Sequence, residues 1–196
     1  GTGLKDAIDA LAPGGSGRQV TVLGAYQIKS TAVLINQPLT VRGVNDSSIT
    51  YAGSICTAPM LSLTAGATLQ NLNINDGSGC ISASRDLVRI NSAAAVSLLS
   101  NDLKDGNRAV VVDGSGAVTL KFNHITGNAG LGVERLATAT GDLIMEDNNI
   151  FNNNGGAGNL QIKNNILTPS KLARANHNFF GSSASLNVEV IAAEWD

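Results

Sequence analysis

Charge is scarce in this chain: only 14% of its 196 residues are Asp, Glu, Lys or Arg, and they leave a net charge of −2. Without a basic stripe or a basic amphipathic segment, neither nucleic acid nor a membrane surface is an expected partner. The longest apolar stretches, such as 93–99, are much shorter than a bilayer span, so membrane insertion is not expected either. Aromatic residues make up 4% of the chain and are scattered, which leaves few stacking platforms. Two histidines and two cysteines supply no spaced set of transition-metal ligands. Glycine is plentiful, but Gly14-Gly-Ser-Gly17 and Gly155-Gly-Ala-Gly158 lack the Gly-Lys-Ser continuation of a phosphate-binding loop and read as turns. No cofactor is expected.

What is abundant is small, β-branched and amide-bearing, a composition suited to short strands separated by tight turns. The length supports one domain. Five segments align: 67–74, 96–103, 118–125, 143–150 and 172–179. They end on the large apolar residues Ile74, Leu103, Ile125, Ile150 and Phe179, separated by 29, 22, 25 and 29 residues. Seven and five residues before these anchors the column is apolar, with Arg174 the exception, and the residues between point the other way. Two residues before the anchors stand Leu72, Asn101, Asn123, Asn148 and His177, a pattern that predicts a ladder of stacked amides at a bend. His177 is read as a satisfied structural member of that ladder, and Phe122 and Phe179 as core or end-cap residues. After the anchors come turn residues such as Asp76-Gly77, Gly127-Asn128 and Asn152-Asn153.

The expectation is an all-β, right-handed, single-stranded parallel β-helix: a three-sheet solenoid with an N-terminal capping α-helix. The cap and its turn occupy 1–17, with Leu4, Ala7, Ile8 and Leu11 at helical spacing, Thr2 as N-cap and Pro13-Gly14-Gly15 as the stop. Short upstream strands are expected at 20–23, 32–35, 39–44 and 48–51, within a β-helix covering 18–196. Cys56 and Cys80 lie 24 residues apart, close to one coil, which allows a disulfide between neighbouring coils; two buried free thiols are the alternative.

Leu4-Lys-Asp-Ala-Ile-Asp-Ala-Leu-Ala-Pro-Gly14, Val20-Thr-Val22, Gly24-Ala-Tyr26 and Pro38-Leu-Thr-Val-Arg-Gly43 together resemble the N-terminal region of pectate-lyase-like right-handed β-helix proteins. Ala175-Asn-His-Asn-Phe-Phe-Gly181 is similar to the Asn-Trp-Trp-Gly ending of β-helix domains in bacterial surface proteins, with Phe in place of Trp. The resemblance spans nearly the whole chain and concerns fold; the activities it implies range from polysaccharide lyases and hydrolases to adhesins and stalks.

A lyase would need carboxylates around Ca²⁺ and an Arg or Lys base. The candidates are Arg85, Asp113 and Arg135 as catalytic groups, on a face shared with Ser84 and Glu134, and Asp76 and Asp105 as Ca²⁺ ligands. Asp102 and His124 share an outward column, where a His and an Asp can meet on adjacent coils. Ordinary solvated ion pairs account for this amount of charge more simply than catalysis does. The function expected first is a secreted or cell-surface module, without catalysis, that acts as a stalk or binds a polysaccharide or another surface protein. A lyase of acidic glycans is the alternative, and the β-helical part of a larger polypeptide a third reading.

Overall fold

Strands begin where branched aliphatic residues alternate with polar ones, and they stop at residues held at positive φ. The computed structural model describes residues 3–11, 17–29, 31–54, 56–77, 85–153, 161–165, 173–180, 189–190 and 193–194. Helix α1 (Leu4–Asp9) precedes β1 (Gln19–Ile28) and β2 (Val33–Ile35), which make the first coil. β3 (Leu39–Tyr51) and β4 (Leu61–Leu63) make the second. The third carries β5 (Ala67–Gln70), β6 (Asn73–Asn75) and β7 (Val88–Ile90), and the fourth β8 (Val96–Leu99), β9 (Asp102–Lys104) and β10 (Val110–Val112). β11 (Val118–Lys121), β12 (His124–Thr126) and β13 (Val133–Arg135) follow, then β14 (Leu143–Glu146), β15 (Asn149–Phe151) and β16 (Ile162–Asn164). β17 (Ala173–Asn176), β18 (Glu189–Val190) and β19 (Ala193–Glu194) continue the stack.

Strands pair in parallel with their counterparts one coil away, and the chain is an all-β parallel β-solenoid. Among the described residues there are two hydrogen-bonded sheets, of 12 and 7 strands, where three were expected. The difference has a local cause. β3 turns a corner without a break and pairs with both β5 and β6, which fuses two faces into one sheet. For the same reason the short strands expected at 39–44 and 48–51 are one strand.

Three columns of side chains fill the interior. Val41, Leu69, Leu98, Leu120 and Met145 stack through one face, Ile49, Ile74, Leu103, Ile125 and Ile150 through the next, and Ile35, Leu63, Ile90 and Val112 through the third. None is more than 1% exposed. Each such burial contributes roughly 1.5–3 kcal/mol, so the columns are the principal source of stability. At the N-terminal end Leu4 and Ile8 of α1 are buried, and Ala7 and Leu11 pack beside them as a lid. The N-cap is Gly3 rather than Thr2, which lies outside the described residues. Gly3 N–H donates to the Asp6 carboxylate at 3.0 Å, and a Cβ at Gly3 would stand 2.8 Å from the Tyr26 hydroxyl.

The amide ladder is present and buried. Asn101, Asn123 and Asn148 each accept, on Oδ1, the backbone N–H of the residue one coil earlier, at 2.9–3.1 Å. Their Nδ2 groups donate to the carbonyls of Leu69, Leu98 and Leu120. The last rung is Asn178, which accepts from Asn148 N and Nδ2 at 2.9 and 2.8 Å; His177 is not in the ladder and is largely exposed. The final segment is therefore shifted by one residue from the expected alignment. Ala173 and Ala175 take the column positions opposite Leu143 and Met145, Arg174 lies opposite Ile144, and Phe180 packs on the core while Phe179 is 50% exposed. The shift also removes the anomaly of an inward Arg174. A second ladder runs at the next corner, where Asn128 accepts from Gly106 N, Asn153 from Asn128 N and Gln161 from Asn153 N.

Asn123→Ala removes a rung that serves four groups, and it should cost roughly 3 kcal/mol because buried polar groups lose their partners at about 1–3 kcal/mol each. A urea melt reads this directly, and an unchanged midpoint would contradict the ladder's role. Ile125→Asp should abolish folding, whereas His124→Ala, on the outward side of the same strand, should leave the thermal midpoint nearly unchanged.

Candidate functional site

On the face built by β7, β10 and β13, charged side chains pair from coil to coil. Arg108 donates two hydrogen bonds to Asp86, at 2.7 and 2.8 Å, and one to Glu134 at 2.5 Å. Asn165 continues the row by donating to Glu134 at 3.1 Å. Desolvation opposes the charge on Arg108, but its two carboxylate partners outweigh it and hold the guanidinium above its ordinary value. Beyond the end of β10, Asp113 accepts from Arg89 at 2.6 Å and from the Thr138 hydroxyl, and these bonds, with Arg89 first, hold its carboxyl below the usual range.

The candidate trio does not assemble on one surface. Arg135 pairs in register with Val112, not Asp113, so its side chain enters the interior column between Val112 and Asn164 and is 0% exposed. It donates to the Gly141 carbonyl, and burial lowers its pKa against the opposing pull of Asp142. Arg85 is 1% exposed; it lies 3.4 Å over the centre of the Tyr51 ring, donates to the Ala58 carbonyl at 2.9 Å and faces Asp76 at 3.4 Å. Asp113 alone reaches the surface, in the pairing with Arg89. Ser84 lies outside the described residues. Of the Ca²⁺ candidates, Asp76 is buried against Arg85, and Asp105 holds a turn at φ 62°. Among the described residues no group of three or more His, Cys, Asp or Glu is arranged to hold a metal. Cys56 is disulfide-bonded, and Cys80 lies outside the described residues.

Asp102 and His124 do meet, with Oδ1 and Nδ1 3.7 Å apart and the other carboxylate oxygen 3.0 Å from the Lys104 ammonium. The His124 ring stacks on Phe151 at 5.4 Å, and Phe179 meets Phe151 edge-on at 5.9 Å. This row lies on the outer surface of β9, β12 and β15.

Next to it is an open polar concavity, a groove of about 600 Å³ at the corner between the two halves of the large sheet. Its origin is a mismatch in chain length between coils. Arg42 pairs with Gln70 and Ser48 with Asn73, so six steps of β3 face only three on the next coil. The surplus is absorbed by Asn45 and Asp46, consecutive non-glycine residues at φ 53° and 56°. Gly43 allows the close approach, since a Cβ there would lie 2.1 Å from the Asn71 carbonyl oxygen. Arg42, Asn45, Asp46, Asn71, Asn73 and Asp102 line the groove. Among the described residues neither Arg42 nor Asp46 is engaged in an ion pair. Amides, carboxylates and one guanidinium in an open trough are the groups that exchange hydrogen bonds with vicinal hydroxyls.

Sequence reasoning missed this groove and placed the site on the opposite, charged face. The tandem Gly43-Val-Asn-Asp46 was the available signal: four residues in the middle of a strand pattern, two of them tolerant of positive φ. Compared with known proteins, the chain matches no protein-family model, no curated protein and no solved structure.

The Asp113 pairing makes stability depend on pH in the acid range. Its folded-state pKa lies below its unfolded one, so the stabilisation is complete above about pH 4 and is lost as pH falls through the lower folded value. Asp113→Asn should therefore be less stable than wild type at neutral pH, and the gap should close on acidification. Melts from pH 7 to 2 test this, and a gap that widens at low pH would reverse the assignment.

Proposed function

We propose that this chain is a secreted or cell-surface right-handed β-helix module of the pectate-lyase-like kind, serving as a scaffold that binds glycan without catalysis. The observation that carries the reading is the corner groove, an open polar trough of about 600 Å³ lined by Arg42, Asn45, Asp46, Asn71, Asn73 and Asp102. Its hydrogen-bonding groups suit a polyhydroxylated ligand better than an apolar one. The disulfide at Cys56 supports an oxidising compartment, with Cys80 proposed as its partner.

Against the lyase alternative stand the environments of its own candidate residues. A proton-abstracting arginine has to touch the substrate, and Arg85 and Arg135 are sealed inside the solenoid. Asp113 is held by Arg89 and Thr138. The charged face is better explained as cross-coil pairing that contributes to register.

Affinity electrophoresis through gels containing soluble polysaccharides tests the proposal. Retardation of the wild type is expected, with Asn73→Ala plus Asp102→Asn migrating freely at an unchanged thermal midpoint. Unsaturated product from a uronate polymer, with or without Ca²⁺, would overturn the non-catalytic reading.

A further inference from the structure

The corner that bounds the groove is built the same way on successive coils: one residue at positive φ, then the inward rung. The positive-φ residues are Asn71, Ser100, Phe122, Asp147 and His177, at φ between 52° and 58°. Asparagine and aspartate enter this region readily, and a bulky aromatic does so at a cost in backbone strain. Phe122 does not offset that cost by burial, since it is 57% exposed. Its one ring contact among the described residues is the Lys121 ammonium, 5.1 Å from the ring centre, itself bonded to Glu146 at 3.1 Å. A strained residue whose side chain gains little from the fold is the kind of outlier from which a functional role is argued.

Its position supplies the role. Leu99 pairs with Lys121 and Asp102 with His124, so Phe122 lies one coil beyond Ser100, a residue of the groove wall. A chain lying in the groove and leaving it along the solenoid axis passes over Phe122 next. The groove wall carries one arginine and two aspartates, Asp46 and Asp102, so it offers no excess of positive charge to a uronate. We infer that Phe122 is a stacking platform for one ring of a neutral oligosaccharide that runs along the solenoid axis out of the corner groove, an inference resting on the glycan-binding reading above. The polar wall satisfies the hydroxyls, and the aromatic ring covers an apolar sugar face.

The test compares wild type, Phe122→Asn and Phe122→Trp in gels containing a neutral β-glucan, a galactomannan or polygalacturonate, with thermal melts of each variant. Asn is the residue the same column uses at Asn71, so it relieves strain while deleting the ring. Expected results are retardation of wild type by a neutral polymer, about tenfold weaker binding for Phe122→Asn, and retention by Phe122→Trp within about twofold. The thermal midpoint of Phe122→Asn should equal or exceed that of wild type. Wild-type binding by Phe122→Asn, or a midpoint lowered by several degrees, would make Phe122 a packing residue and overturn the inference while leaving glycan binding intact. Preference for polygalacturonate would overturn the neutral class alone. Retardation by none of the polymers would overturn the glycan-binding reading and this inference with it.

Discussion

An inward asparagine placed directly after a residue at positive φ is the interaction on which this solenoid depends. A chain that turns sharply between two parallel strands takes its corner amides out of strand pairing, and buried amides without partners are costly. The Asn side chain substitutes for a strand there. Its Oδ1 accepts the N–H of the previous coil, and its Nδ2 donates to a carbonyl of that coil, as in the bonds of Asn123 to Asn101 and Leu98. Because the amide spans one coil spacing, the rung sets the height of each coil against the next, and the apolar columns can stack only when the heights agree.

The charged residues follow from that registration. Asp86, Arg108, Glu134 and Asn165 come from successive coils and meet because the corners hold those coils in step. Partly buried pairs of this kind contribute little net energy, yet a slipped coil would leave charges unpartnered, so they disfavour alternative alignments. The groove opens where the ladder gives way. At the corresponding corner of the second and third coils the rung positions hold Ser47 and Leu72; the Ser47 hydroxyl reaches the Val22 and Val44 carbonyls and accepts the Val44 N–H, with no side-chain amide at either position. With no amide rung to match, the second coil can take extra residues at its corner.

The period and the inward face were legible from residue spacing alone, because strand alternation flips whenever the count slips by one. That same sensitivity explains the errors. In Asn176-His177-Asn178 two neighbouring residues can be placed as the rung, and only Arg174, which cannot face the core unpaired, argues for the second. Arg135 misled in the opposite way: an arginine in the apolar column opposite Val112 contradicts alternation, so counting put it on the surface. The second ladder was hidden because Asn128 and Asn153 sit beside Gly127 and Asn152, where an asparagine reads as an ordinary turn residue. The meeting of Asp102 and His124 was visible since it needs only the correct column, whereas the groove arises from unequal chain lengths on paired coils, which no single segment displays.

Solenoids confine the effects of such irregularities. Stability is close to a sum over neighbouring coils, so strain at one corner is borne by the contacts that flank it. Asn101, Asn123 and Asn148 hold the coils on either side of Phe122 with fully buried amides. An exposed aromatic at positive φ persists there because the rung that follows it over-determines the local backbone. Because the ladder carries the bonds of the corner itself, an outward corner side chain such as that of Phe122 is less constrained by the fold than the tightly paired residues of the charged face.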